Sequence, residues 1–251
     1  MIQMSEYVNS KRGRNITEEE AKKLLNKTHS NSYNSKIEIY RGVRGYNKYV
    51  YIDPSKAAQP RISKNITNYY TLIMDNSLAW RNFPKRSMSL ICTLDKEYAD
   101  TMGGGVMYRV YPENGATIGV ATDYDIWMAR GQVGKYSWNY NEISMLIRSI
   151  AMLSPNVYKN PKTYSEMVQE FELIDKNKKE KDDKIKPSTL LIEETEKFWI
   201  SYMKYDNTFL NFIRELINPK HDDWSIVKSG DNIPKDREVW MSCPCVLVKE
   251  E

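Results

Sequence analysis

The sequence predicts an α+β chain: a sheet domain interrupted by a large helical insertion. Three observations carry this. Short alternating apolar runs bounded by Gly, Pro and Asn occupy roughly the first 140 residues and recur after residue 220. Between them, residues 141–219 change texture to helical periodicity. The 18 Tyr and 6 Trp favour strand faces and a binding cleft over a helical bundle. The predicted organisation is therefore a first part of the core over 1–140, a helical insertion over 141–219 and the last core strands over 220–251.

Composition bounds the class. The chain has 251 residues, 41% of them hydrophobic and 28% charged, which suits a water-exposed globular fold of one large or two small domains. Its 37 basic and 33 acidic residues leave a charge of +4, too small an excess to argue for nucleic acid. Three cysteines make no disulfide framework, Cys243-Pro244-Cys245 lacks the spacer of a usual metal or redox pair, and no metal site is expected. No run approaches a membrane span and no signal-peptide core is read at the N-terminus, so a reducing cytoplasm is the expected location.

In chain order, residues 1–15 are polar and read as loose. Thr17 followed by Glu18, Glu19 and Glu20 is an N-cap with first-turn acids, and Ala21, Leu24 and Leu25 give the apolar stripe of a helix reaching Lys27. Residues 30–35 read as a polar turn. Ile37 to Val43 alternates as a strand ending at Arg41-Gly42. There, a guanidinium and an open backbone could clamp phosphate and amide, or Arg41 could be a surface cation. Tyr49 to Ile52 is a further short strand. The polar loop from Pro60 feeds a helix marked by Tyr69, Leu72 and Ile73, with Trp80 beyond.

The stretch from Phe83 to Thr93 turns at Pro84, passes Lys85 and Arg86, and alternates: Ser87, Ser89 and Ile91 on one face, Met88, Leu90 and Cys92 on the other. Two hydroxyls beside two cations suit an anionic ligand, although a half-exposed strand with a basic entry turn has the same pattern. A short helix over 94–102 follows. Gly103-Gly104-Gly105 matches no Walker or dinucleotide spacing and reads as a flexible connection. Strands are expected over 106–111 and 116–121 around the turn at Pro112 to Gly115, with Asp123 and Asp125 after the second.

Helices are expected over 142–153, over 164–174, and over 190–217 with a break near Asp206-Asn207. A charged linker is expected over 175–186, and Asn218-Pro219 stops the last helix. The aromatic residues Phe198, Trp199, Tyr202 and Tyr205 chiefly pack this segment. Asp236 to Met241 reads as an acidic turn entering a strand, with Asp236 and Glu238 on one face. Pro244 then turns the chain into a final strand.

The order of these pieces resembles the Arg–Ser–Glu class of mono-ADP-ribosyltransferases. The resemblance lies in Tyr40-Arg41-Gly42, in Ser87-Met88-Ser89, in the strand-turn Met107 to Gly115 and in Asp236-Arg237-Glu238-Val239-Trp240. The stretch from Tyr69-Tyr70 to Cys92 also looks like phage-encoded relatives of these enzymes, which would act in a host cytoplasm. The sequence departs from the pattern in having Ser-Met-Ser for Ser-Thr-Ser, Asp-x-Glu for Glu-x-Glu, and a long gap between the two motifs. Asp123-Tyr124-Asp125 is a rival for the acidic pair.

The resemblance implies a split β-sandwich core and the use of NAD as co-substrate, with no metal. It implies transfer of ADP-ribose to a macromolecular acceptor, protein more than nucleic acid, and no membrane partner. Glu238 would be the catalytic carboxylate, Asp236 the residue facing the acceptor, and Ser87 and Ser89 the groups orienting ribose and Glu238. Arg41 would hold the diphosphate or its ribose and Gly42 the nicotinamide amide. Tyr69 or Trp80 would stack on nicotinamide. NAD hydrolysis, or an inactive module of the same fold, are the alternatives.

Overall fold

The computed structural model describes residues 13–57, 59–62, 67–101, 106–153, 161–179 and 193–250. The triple glycine 103–105, most of the N-terminal stretch 1–15 and most of the charged linker 175–186 lie outside the described residues.

The chain divides into two compact units, one of residues 1–61, 81–126 and 223–251, the other of 62–80 and 127–222. The second unit is wider than the expected 141–219. It recruits residues 62–80 and 127–140, because their aromatic side chains pack with the helices.

Among the described residues of the first unit, nine strands are hydrogen-bonded in one antiparallel order, β1-β3-β11-β5-β2-β4-β10-β6-β9. They are β1 (Gly13–Asn15), β2 (Tyr40–Gly42), β3 (Tyr49–Ile52), β4 (Leu90–Thr93), β5 (Met107–Pro112), β6 (Thr117–Val120), β9 (Ser225–Lys228), β10 (Glu238–Met241) and β11 (Cys245–Lys249). The α+β class thus holds. One core cluster joins the sheet through Val50, Cys92, Tyr108, Val110, Val239, Met241 and Leu247. Burial of this apolar set is the main driving force for the unit.

The helix predicted from Thr17 is α1 (Glu18–Lys27). Its first-turn Glu20 N–H donates to Thr17 Oγ1 at 3.1 Å, and it packs Ala21 and Leu25 against Tyr111 and Val246. The stretch read as a polar turn after it contains a single helical turn, α2 (Ser30–Tyr33). The short helix α4 (Lys96–Thr101) follows β4 as expected.

Gly119 on β6 faces Trp240 on β10 in register. A Cβ at Gly119 would lie 2.3 Å from the indole, which is fully buried. Gly119→Ala should therefore destabilise the protein by about 1–3 kcal/mol through overpacking. The expected reading is a lower urea midpoint at unchanged slope; an unaltered midpoint would mean the indole has room to move.

The second unit holds α3 (Tyr69–Asn76), the hairpin β7 (Arg130–Val133) and β8 (Tyr136–Asn139), α5 (Tyr140–Leu153), α6 (Tyr164–Lys179), α7 (Glu193–Met203) and α8 (Phe209–Leu216). Its core is aromatic. Phe198, Tyr202, Phe209 and Phe212 meet mostly edge to face, with Phe171 against Phe209, an arrangement that adds to their area burial. The break expected near Asp206-Asn207 falls between α7 and α8. Thr208 caps α8, its Oγ1 accepting from Asn211 N–H at 3.3 Å, and the Asp175 carboxylate on α6 accepts from Phe209 N–H at 2.8 Å. Phe198, Trp199 and Tyr202 are buried as packing residues.

Candidate functional site

Two of the expected motif residues lie on strands one apart in the sheet: Arg41 on β2 and Glu238 on β10, with β4 between them. Thr93 on β4 is paired with Tyr40 on one side and with Glu238 on the other. Directly paired residues share a face, so Tyr40, Thr93 and Glu238 point one way and the Arg41 position the other.

The β2–β4 pairing consists of the single pair Tyr40–Thr93. Where it stops, the Arg41 guanidinium reaches β4 itself, its Nη1 donating to Ile91 O at 2.8 Å. Burial lowers the pKa of Arg41 from its usual value, opposed by the nearby Cys92 and by the Glu238 carboxylate. The surface cation considered from the sequence is thus fully buried.

Glu238 opens β10 and is held on four sides. Its Oε1 lies 2.6 Å from Arg86 Nη1, with the two side chains 3% and 1% exposed. Its Oε2 accepts from Ile126 N–H at 3.3 Å. Its backbone N–H donates to Asp123 O at 2.8 Å, and its carbonyl accepts from Ala121 N–H at 2.9 Å. Burying a carboxylate is costly unless an opposite charge offsets the lost solvation, and Arg86 is placed to do so. Arg86 also lies over the Trp240 ring, 5.6 Å from its centroid. Trp240 Nε1 in turn donates to Pro84 O at 2.8 Å, fixing the turn that delivers Arg86.

Arg86 does more than its sequence context indicates. Its neighbours mark only a basic entry turn, whereas in the structure it is the direct partner of Glu238. Its signal was faint: one of two adjacent cations, separated by Ser-Met-Ser from the apolar run that begins at Leu90.

The serines are not where alternation put them. Residues 86–88 form a 3-10 turn and the strand begins at Leu90. Ser89 follows that turn and its Oγ donates back to Lys85 O at 2.7 Å, while Ser87 O accepts from Arg61 N–H at 2.7 Å. A hydroxyl bonded to its own turn competes with strand geometry, and the proline turn with the Arg86 anchor decides the outcome. All of Leu90 to Thr93 is buried, so β4 has no exposed face.

Asp236 is exposed in a turn with φ of +57°, a conformation that Asp tolerates better than most residues. It therefore does not share a strand face with Glu238. Gly42 is buried in β2, opposite Met107.

Tyr69 belongs to the helical unit, is 1% exposed, donates to Glu170 and stacks on Phe171. Trp80 belongs to the same unit, and its Nε1 donates to Ile217 O at 2.8 Å. Both aromatics proposed to stack on nicotinamide are thus committed to packing that unit.

The rival acid Asp125 is also buried and accepts from Tyr98 OH at 2.7 Å. Burial and this carboxylate raise the Tyr98 pKa.

The helical unit has its own open cavity of about 620 Å³, lined by Asp175, Lys178 and Asp206 among others, which includes none of the expected site residues. Lys178 Nζ is already bonded there to Tyr202 O and Tyr205 O. Among the described residues no group of three or more His, Cys, Asp or Glu is placed to hold a metal, and no helix is long and apolar enough to cross a membrane.

No known protein family, curated protein or solved structure matches the chain.

Proposed function

We propose that the chain is a mono-ADP-ribosyltransferase of the Arg–Ser–Glu class, with a split β-sandwich core, that cleaves NAD and transfers ADP-ribose to a protein acceptor. The observation that carries the reading is the adjacency of β2, β4 and β10. Arg41 on β2 and Glu238 on β10, far apart in the chain, lie one strand apart at positions on opposite faces, and the Glu238 and Arg86 charges both act on the Arg41 guanidinium. The loss of pairing between β2 and β4 at Arg41 also suits a sheet that divides there.

In this reading the bond between nicotinamide and ribose breaks with its electrons leaving on nicotinamide, and positive charge develops on the ribose. Glu238 stabilises that charge and bonds the 2′-hydroxyl, as carboxylates do in glycoside hydrolysis. The acceptor nucleophile then attacks the anomeric carbon. Glu238 is covered by the Asp123–Ile126 backbone, so this segment must move aside for NAD to reach the carboxylate.

That same cover favours a second reading, an inactive module of the same fold, in which Arg41, Arg86 and Glu238 serve as a buried charge cluster. Incubation with NAD decides between them. Transfer predicts free nicotinamide and labelled lysate protein, hydrolysis predicts nicotinamide without label, and the inactive module predicts neither.

Arg41→Ala should weaken NAD binding about ten- to a hundredfold, the worth of a charge-assisted contact made in the ground state. Arg41→Lys, which keeps the charge but not the fork, should fall between. Calorimetric titration of folded variants reads this, and unchanged affinity in both would leave Arg41 a structural role only.

A further inference from the structure

We propose that Cys243 and Cys245 form a reactive dithiol, with Cys243 as the nucleophile toward peroxides and Cys245 as the resolving thiol that closes an intramolecular disulfide. The proposal is independent of the transferase reading. β10 ends at Met241 and β11 begins at Cys245, so Cys243 sits in the connecting turn, partly exposed, with Pro244 limiting the backbone between the two thiols. Cys245 is fully buried and held in register opposite Ile52 and Pro112. Its Sγ donates to Cys243 O at 3.4 Å, which folds the side chain back toward residue 243. A disulfide spans Cα separations of roughly 4.4–6.8 Å and two fully extended residues reach about 6.6–7.2 Å, so the bend at Cys243 must be kept for the bond to close.

The surroundings make the two sulfurs unequal. The Cys243 pKa is lowered from its usual value, chiefly by hydrogen bonding with the Cys245 side chain, against the opposing effects of burial and of the Glu113 carboxylate. The Glu113 N–H donates to Pro244 O at 3.0 Å, which anchors the residue between the two thiols. Burial raises the Cys245 pKa well above its usual value, and Cys92, also fully buried, is raised to about 12. The nucleophile of a thiol pair is the exposed sulfur with more thiolate character, which is Cys243.

The chemistry balances with hydrogen peroxide as oxidant. The Cys243 thiolate attacks one peroxide oxygen, the O–O bond breaks and hydroxide leaves, giving a sulfenic acid. The Cys245 sulfur then attacks the Cys243 sulfur, the S–O bond breaks, and the departing hydroxide takes the Cys245 proton as water. Two thiols are oxidised and one peroxide is reduced to two waters, counting the proton Cys243 first gave to solvent.

The test treats the native full chain with hydrogen peroxide, quenches it with an alkylating reagent and maps the cysteines by mass spectrometry. The peptide containing both residues should lose two hydrogens, and Cys243 should react at least about tenfold faster than Cys92, following thiolate access. In Cys245→Ala the reaction should stop at a Cys243 sulfenic acid that a dione reagent traps. Because the wild-type comparison with Cys92 needs no variant, poor folding of Cys245→Ala would not shield the proposal. Oxidation of Cys243 no faster than Cys92, or conversion of wild-type Cys243 to sulfinic acid with no disulfide formed, overturns it.

Discussion

Arg86→Met should destabilise the protein by about 3–5 kcal/mol, because it strands the Glu238 carboxylate in a place water does not reach. The two side chains are 1% and 3% exposed and 2.6 Å apart, so neither charge has solvent as an alternative partner. Removing both should be far milder. A buried ion pair replaced by apolar groups of similar volume is often neutral, because the desolvation cost disappears with the attraction. Arg86→Met combined with Glu238→Leu should therefore recover much of the loss, and the two singles should couple strongly in a double-mutant cycle. Arg41 remains nearby with its charge, which limits the recovery. Urea unfolding of the four proteins reads the cycle. If Arg86→Met costs less than about 0.5 kcal/mol, within the range of an ordinary surface substitution, the pair is solvated and the buried cluster does not exist in solution.

Elements set by local chemistry were legible in the sequence. The cap at Thr17 and its following acids gave α1, the break before α8 followed from Asp206-Asn207, and the turn at Pro244 separated β10 from β11. Elements set by distant partners were not. The alternation of Ser87 and Ser89 with Met88 and Leu90 is also the pattern of an exposed strand. What overrides it is the burial of Arg86 against a carboxylate far down the chain and the bond of Ser89 to its own turn. Nothing within that window reports either.

The β7–β8 hairpin had a signal that went unread. Gly134 lies between the two strands with φ of +57°, and a two-residue turn with a left-handed first residue is a favoured hairpin closure. The division into units was hidden for a different reason. α3 reads as an ordinary amphipathic helix, and only its contacts, Tyr69 with Phe171 and Tyr70 with Trp127, assign it to the helical unit. Of the candidate site, the placement of Arg41 and Glu238 on strands was readable. The partner of Glu238, Arg86, was not readable, since ion pairing between remote residues leaves no periodicity.

Glu238→Gln should lower nicotinamide release by about two to four powers of ten while leaving NAD affinity close to wild type, if the transferase reading holds. A carboxylate that answers charge developing on the ribose acts mainly in the transition state, and removal of a comparable electrostatic group costs this much in rate. The substitution keeps the shape of the side chain, and its amide oxygen can still accept from Ile126 N–H. The charge opposite Arg86 is lost, so folding is checked by circular dichroism and by the urea midpoint before any rate is compared. Asp125→Asn is the companion variant, since Asp125 is buried beside Tyr98 and is the rival acid. Loss of activity in Glu238→Gln with activity retained in Asp125→Asn supports Glu238 as the catalytic group. The reverse result transfers the role to Asp125 and leaves Glu238 as the anchor of Arg86. Full activity in both variants removes the carboxylate mechanism altogether, and with it the reason for reading the strands β2, β4 and β10 as an NAD site.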